Sequence, residues 1–286
     1  MNTLHARALL FSAIEGGNTF WNREIVTHGP EAVVQRIREG GYVDGKNERA
    51  VAAIKNNHPA AILELIQRTG ARFITPEETK WPLLINDLAT PPIGLVVKGN
   101  ISALSYSSLA IVGTRNPTNY GVRIAGDFAA GFVDREWAVI SGGAYGIDSS
   151  AHKGALIAEG ITIAVLATGV DVNYPAGNVR LFAEIAETGA LISEVMPGVH
   201  AVPARFLTRN RLIASLSKAT LVVEAAFRSG SLRTARDASE LLRPVMAIPG
   251  PITSPTSEGC HRLIGERVAE IVTSVADAME FVSAIR

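Results

Sequence analysis

The sequence predicts an α/β protein built on a parallel sheet, and two observations carry that prediction. Short apolar runs recur at residues 110–112, 138–140, 162–166, 190–193, 220–224 and 245–248, and most are followed by a segment with helical spacing. That alternation is the pattern of βαβ units. The first two runs also close on glycine turns, Gly113-Thr114-Arg115 after one and Ser141-Gly142-Gly143-Ala144 after the other. A parallel sheet presents such turns together, with helix N-termini behind them, and their outward N–H groups attract anions. A phosphate is the natural occupant.

At 286 residues, 47% of them hydrophobic, the chain can hold one large α/β domain and a smaller one. The single cysteine, Cys260, excludes an internal disulfide framework, fits a reducing compartment and reads as a packing residue. No signal-peptide pattern opens the chain and no apolar run is long enough to span a bilayer, so the expectation is a soluble, cytoplasmic protein without membrane contact. A formal net charge of zero argues against a globally basic nucleic-acid binder. The distribution is less even: Arg205, Arg209, Arg211, Lys218, Arg228, Arg233, Arg236 and Arg243 face only Glu224, Asp237 and Glu240 in the same stretch. A locally positive groove on a neutral protein follows.

Taken in order, residues 1–74 read as a small helical domain, with helices at 4–12, 31–39, 47–55 and 61–67 separated by glycine and proline breaks. Residues 75–108 form a proline-rich lead-in with one strand at 94–98. Residues 109–286 carry the sheet. Within them the loop before Asn178 leads into a helix at 179–187, and the loop 196–203 leads into one around 205–215. The turn 228–231 opens another helix, and the tail from 259 onward reads as helical.

Neither a Gly-x-Gly-x-x-Gly fingerprint nor a Gly-Lys-Ser/Thr phosphate loop occurs. The chain offers two short turns from adjacent strands, each with a cation in reach: Arg115 beside the first, and Lys153 one to two helical turns beyond the second. Two neighbouring phosphates, as along a single nucleic-acid strand, suit that pair. Ser229-Gly230-Ser231 repeats the arrangement at a third strand end, with a helix N-cap as the equal alternative. Arg209 and Arg211, flanking Asn210, sit on different helix faces, so at most one points along the groove. Asn178 reads first as a cap for its helix. His152 shares a helix face with Asp148, and a structural hydrogen bond is its expected role. Asp171 and Glu224 lie at or after strand ends but lack a partner for acid–base chemistry. The histidines have no metal-ligand spacing. No reaction centre, metal site or cofactor site is read from the chain.

The motifs AIVGTRNPTNYG, VISGGAYGIDSSAHKGAL, TIAVLATGVDVNYPAGN, GALISEVMPG, FLTRNRLIASLS, LVVEAAFRSGSLRTARDA and AIPGPITSPTSEGCHRLI, in that order, resemble the DprA/Smf family of bacterial DNA-processing proteins. WPLLINDLATPPIGLVVKGN resembles the family's lead-in. The resemblance implies an extended Rossmann-like, mostly parallel sheet with helices on both faces, preceded by a small helical domain. It implies a non-enzymatic, dimeric protein that binds single-stranded DNA and loads the RecA recombinase during natural transformation. Carried over by motif, the implied contacts are Gly113, Thr114, Arg115, Ser141 to Ala144 with Gly146, Lys153, Asn178 beyond Tyr174-Pro175, Arg209 to Arg211, and Ser229 to Ser231. Departures are Thr114 for serine, Leu207-Thr208 for a proline-containing approach, Leu242-Arg243-Pro244 for a Gly-Arg pair, and Cys260 for asparagine. The winged helix carried by many members is not among the motifs. The rival expectations are a Rossmann-like enzyme or sensor acting on a free nucleotide, and a scaffold that contacts only proteins.

Overall fold

The computed structural model describes residues 1–42 and 45–284. The chain opens with five helices, α1 (Thr3–Ala13), α2 (Thr19–His28), α3 (Pro30–Arg38), α4 (Glu48–Asn56) and α5 (Pro59–Arg68). Asn2 and Asn18 cap α1 and α2 by accepting the N–H of His5 and Trp21, while proline opens α3 and α5, where a missing N–H costs nothing. Leu9, Leu10, Trp21, Val33, Ile37, Ile54 and Ile66 fill the space between them. The sequence did not predict α2, because only Trp21 and Ile25 of its ten residues are buried and the apolar period is too sparse to read.

The sheet has nine strands: β1 (Ala71–Ile74), β2 (Leu95–Gly99), β3 (Ser108–Val112), β4 (Ala138–Ser141), β5 (Thr162–Leu166), β6 (Ala190–Ser193), β7 (Ala219–Val222), β8 (Val245–Ala247) and β9 (Glu270–Ile271). Their spatial order is β1-β2-β6-β5-β4-β3-β7-β8-β9. The seven strands from β6 to β9 pair in parallel, and β1 and β2 add an antiparallel edge. The strand β1 falls inside the stretch read as purely helical. The tail read as helical is split into α11 (Glu258–Gly265), β9 and α12 (Val275–Ala284).

Alternation along the strands feeds two faces. Ala110 and Val112 of β3 join the core under α9 (Pro203–Leu216), α10 (Ser231–Glu240) and α11. Leu109 and Ile111 join the core under α6 (Asn119–Val133), α7 (Ile147–Ile157) and α12. Beyond β5, α8 (Val179–Thr188) and the five opening helices share one cluster with Ala164, Leu166 and Leu191. Helices therefore cover both faces of a mostly parallel, Rossmann-like sheet, with a helical unit at the front of the chain.

The order of the strands also locates the ligand position. The chain builds β3, β4, β5 and β6 outward in one direction, then returns to place β7 on the other side of β3. In open α/β sheets, the crevice beyond the carboxyl ends of the strands at such a reversal is where ligands bind.

Candidate nucleic-acid interface

A groove of about 730 Å³ opens at the reversal, bounded by the end of β3 (Gly113, Thr114, Arg115), Ala144 and Asp148, the face of α9 carrying Phe206, Arg209 and Asn210, and the turn Arg228 to Ser231. The first two glycine turns meet there as expected. Ile147 N–H donates to the Thr114 carbonyl at 3.1 Å, and Thr114 N–H donates to the Glu224 carbonyl at 2.6 Å. Gly146 takes φ +82° and lies so close to the Thr114 and Arg115 backbone that no side chain fits. Glycine there is what lets the turns touch.

Arg209 is the centre of the site. Its guanidinium lies directly on Gly142, leaving no room for a Cβ at that position. Nη1 donates to the Val165 carbonyl at 2.9 Å, and Nε, although buried, has no partner among the described residues. Burial lowers its pKa to about 10; Asp148 opposes that shift and the charge of Arg115 adds to it. At neutral pH it therefore carries its charge, as a residue of the groove lining. Burial also raises the pKa of Asp148, against the nearby charge of Arg209 and the N–H bonds it accepts.

Arg115 is exposed, with its guanidinium 5.1 Å from the centre of the Phe206 ring. Phe206 in turn stands 5.5 Å from Tyr174. Beside them a small cleft of about 60 Å³ is lined by Gly142, Tyr145, Ala167 and Pro175. Aromatic faces joined to cations on a groove floor suit stacked bases beside phosphates.

Other predicted residues have different duties. The Ser141 hydroxyl donates to the Ile111 carbonyl at 2.6 Å and is buried. Gly143 rests on Phe182. Asn178 does not cap α8 with its side chain; its Nδ2 donates to the Gly143 carbonyl and to the Ser149 hydroxyl, both at 2.9 Å. It thereby braces the second turn, which corrects the capping expectation. At α10 the cap position is Gly230, which has no side chain to offer; the Ser229 hydroxyl accepts the Ser231 N–H at 3.3 Å and meets the Ser231 hydroxyl at 2.6 Å, and Asn210 holds the Gly230 carbonyl at 3.1 Å. Arg211 points away from the groove, to Glu194 and to the Thr90 carbonyl at 2.7 Å. Lys153 is exposed on α7, is not in the groove lining, and makes no ion pair among the described residues.

His152 has the structural role read from sequence. Thr162 gives its hydroxyl proton to the Val139 carbonyl, so it accepts from Nδ1–H of His152 at 2.7 Å. Nε2 is buried without a partner among the described residues, and burial followed by the charge of Arg209 lowers the imidazole pKa to about 3. Glu224 accepts from Thr118 N–H, the Thr118 hydroxyl and the Thr256 hydroxyl. Asp171 accepts the Gly198 N–H. Both carboxylates hold loops. The residues missed from sequence are Phe206 and Tyr145, while Arg228, read there as part of a positive stretch, lines the groove. Phe206 had a signal, since it precedes Arg209 by one helical turn and shares its face.

A family profile described as DNA recombination-mediator protein A matches residues 72–283. This chain belongs to that family. A Mycobacterium tuberculosis protein named for DNA processing, DprA, is 44% identical over 270 residues, 90% of this chain and 69% of the relative. The X-ray structure of DNA processing protein A from Streptococcus pneumoniae superposes with a TM-score of 0.85 at 30% identity, covering 98% of each chain. A structure of DNA processing protein A from Helicobacter pylori, described for its single-stranded DNA binding mode, matches with a TM-score of 0.67 at 28% identity over 76% of this chain and 97% of that one. The family profile begins within β1, so it takes in all but the first residue of the sheet and every groove residue. Among the described residues no helix is long and apolar enough to cross a membrane.

Proposed function

We propose that the groove at the β3/β7 reversal binds single-stranded DNA without sequence preference, and that the chain presents that strand to a RecA-type recombinase as a DNA-uptake and recombination mediator. The observation that carries the reading is the groove lining itself, where exposed Arg115 lies against the Phe206 ring, Tyr174 stands beside that ring, and the buried guanidinium of Arg209 rests on the second glycine turn. Membership of the recombination-mediator family and likeness to a Helicobacter pylori protein described for single-stranded DNA binding support it. Backbone N–H groups of the turns, Arg115 and Arg209 take the phosphates, and Lys153 serves as an outer contact on α7. Phe206 and Tyr174 take unpaired bases, which a duplex keeps stacked inside itself.

The direct test is binding of labelled single-stranded and double-stranded oligonucleotides to the wild type, Arg115→Ala and Phe206→Ala. Both side chains are at the surface or partly so, and their truncation leaves the fold intact. Each is expected to weaken single-strand binding about tenfold or more; unchanged affinity in both sinks the groove. Loading is read separately, as faster RecA filament assembly on strands coated with single-stranded-DNA-binding protein. Light scattering with and without DNA tests the expected homodimer.

A further inference from the structure

Phe227 sits between two residues that line the groove, Ala226 and Arg228, and consecutive Cα atoms are about 3.8 Å apart. Its ring belongs to none of the three buried clusters. It stands over the outer lip, 49% exposed, with the Arg262 guanidinium 4.5 Å from its centre. Core packing does not account for a ring so placed.

The lip beneath it is firm. Ala225 N–H donates to the Thr256 carbonyl at 2.7 Å, and Gly259 N–H to the Ala225 carbonyl at 2.8 Å. His261 Nε2 lies 3.0 Å from the Gly250 carbonyl, and the Tyr120 hydroxyl donates to the Pro249 carbonyl at 3.2 Å. The loop after β7, the loop after β8 and the start of α11 therefore form one rim. Charge on the rim favours a polyanion only locally. Glu266 is shared between Arg262 and Arg236, and Glu258 is exposed at the start of α11. Arg228, exposed at the lip itself, makes no ion pair among the described residues.

We infer that Phe227 and Arg262 form an outer stacking site for an unpaired nucleobase, so that a strand held in the groove crosses the lip toward the β8–β9 side of the sheet. This rests on the groove reading above. An aromatic face and a planar guanidinium stack any base, because every base has a π-face. Arg228 then meets the phosphate that joins the outer nucleotide to those inside. The strand is gripped by rings at both ends of the groove, Phe206 with Tyr174 at one and Phe227 at the other, with cations between.

The test uses the full chain and fluorescein-labelled oligothymidylates from about 4 to about 16 nucleotides, the span of single-strand site sizes. Phe227→Ala, Phe227→Tyr and Phe206→Ala are compared with the wild type by anisotropy, with melting temperatures to confirm folding. Phe227→Ala is expected to bind the shortest oligomer as the wild type does and the longest about five- to 100-fold more weakly. Its salt slope should be unchanged, since no phosphate contact is lost, and Phe227→Tyr should retain wild-type affinity. If Phe227→Ala matches the wild type at every length while Phe206→Ala weakens binding at every length, the outer site is overturned and the groove stands. An equal loss at all lengths, the shortest included, also overturns an extension beyond the groove. If Phe206→Ala too binds as the wild type, the groove reading falls and takes the outer site with it.

Discussion

Arg209 and Gly142 define each other: the guanidinium occupies the volume a side chain at 142 would need. Arg209 cannot swing aside cheaply, because Nη1 is tied to the Val165 carbonyl and the residue is buried. Gly142→Ala should cost about 1–3 kcal/mol of stability by overpacking and weaken single-strand binding by displacing the cation, both readable from urea melts and anisotropy. Gly126→Ala in α6, where a Cβ meets nothing within 4 Å, is the control and should gain about 0.5–1 kcal/mol. His152 makes a second residue-scale prediction. Its folded pKa is lowered from 6.5 to about 3, so its contribution is complete above pH 6.5 and is lost as the pH falls toward 3. By pH 4 that loss approaches about 3 kcal/mol. The raised pKa values of Asp148 and Glu194 act in the opposite sense, since protonation there relieves a buried charge. His152→Asn, which keeps a donor near Nδ1, should flatten the decline between pH 6.5 and 4 in urea unfolding at a series of pH values.

At the scale of elements, α9 is a beam loaded on two sides. One side carries Phe206, Arg209 and Asn210 into the groove. The other is held by Arg205 pairing with Glu15 and Arg211 pairing with Glu194, with Gly17 of the α1–α2 loop beside Arg211. Glu194 is 9% exposed, and burial raises its pKa against the pull of Arg211. Glu194→Ala leaves Arg211 without its counter-ion and should cost about 3–5 kcal/mol, while Glu194→Gln, which still accepts a hydrogen bond, should cost less; thermal unfolding checks both. The helix also shows where sequence reasoning stops. That Arg209 and Arg211 must face different ways follows from their spacing alone. Which of them enters the groove depends on Gly142 and Glu194, partners distant in sequence. Asn178 was misread for the same reason, since its partners are the Gly143 carbonyl and the Ser149 hydroxyl rather than its own helix. Strand β9 lies in the apolar run 268–272 but reads as part of a helical tail, because both its residues are exposed and it shows no alternation; β1 is only four residues long and follows a helix after two residues.

At the scale of the molecule, the meeting of the first two turns was legible, because β3 and β4 are consecutive and pair directly. The third turn, Ser229 to Ser231, was legible as a strand end but its place beside the first was not, because β7 reaches β3 only after the chain has crossed the sheet and returned. That return is what gathers positive charge on a chain whose formal net charge is zero. The consequence is measurable as salt dependence. Arg115, Arg209 and Arg228 line the groove, and Lys153 is read as an outer contact. At about 0.7 per phosphate neutralised on a single strand, four cations predict a log–log slope of roughly −3. Arg115→Ala and Lys153→Ala should each make it shallower by about 0.7. Arg211→Ala should leave the slope alone, since that guanidinium faces Glu194 and not the strand, even though it lowers the melting temperature. With a formal net charge of zero, the slope is expected to follow the cations that touch the strand. A steeper slope that ignores Arg115 and Lys153 would place the strand on another surface.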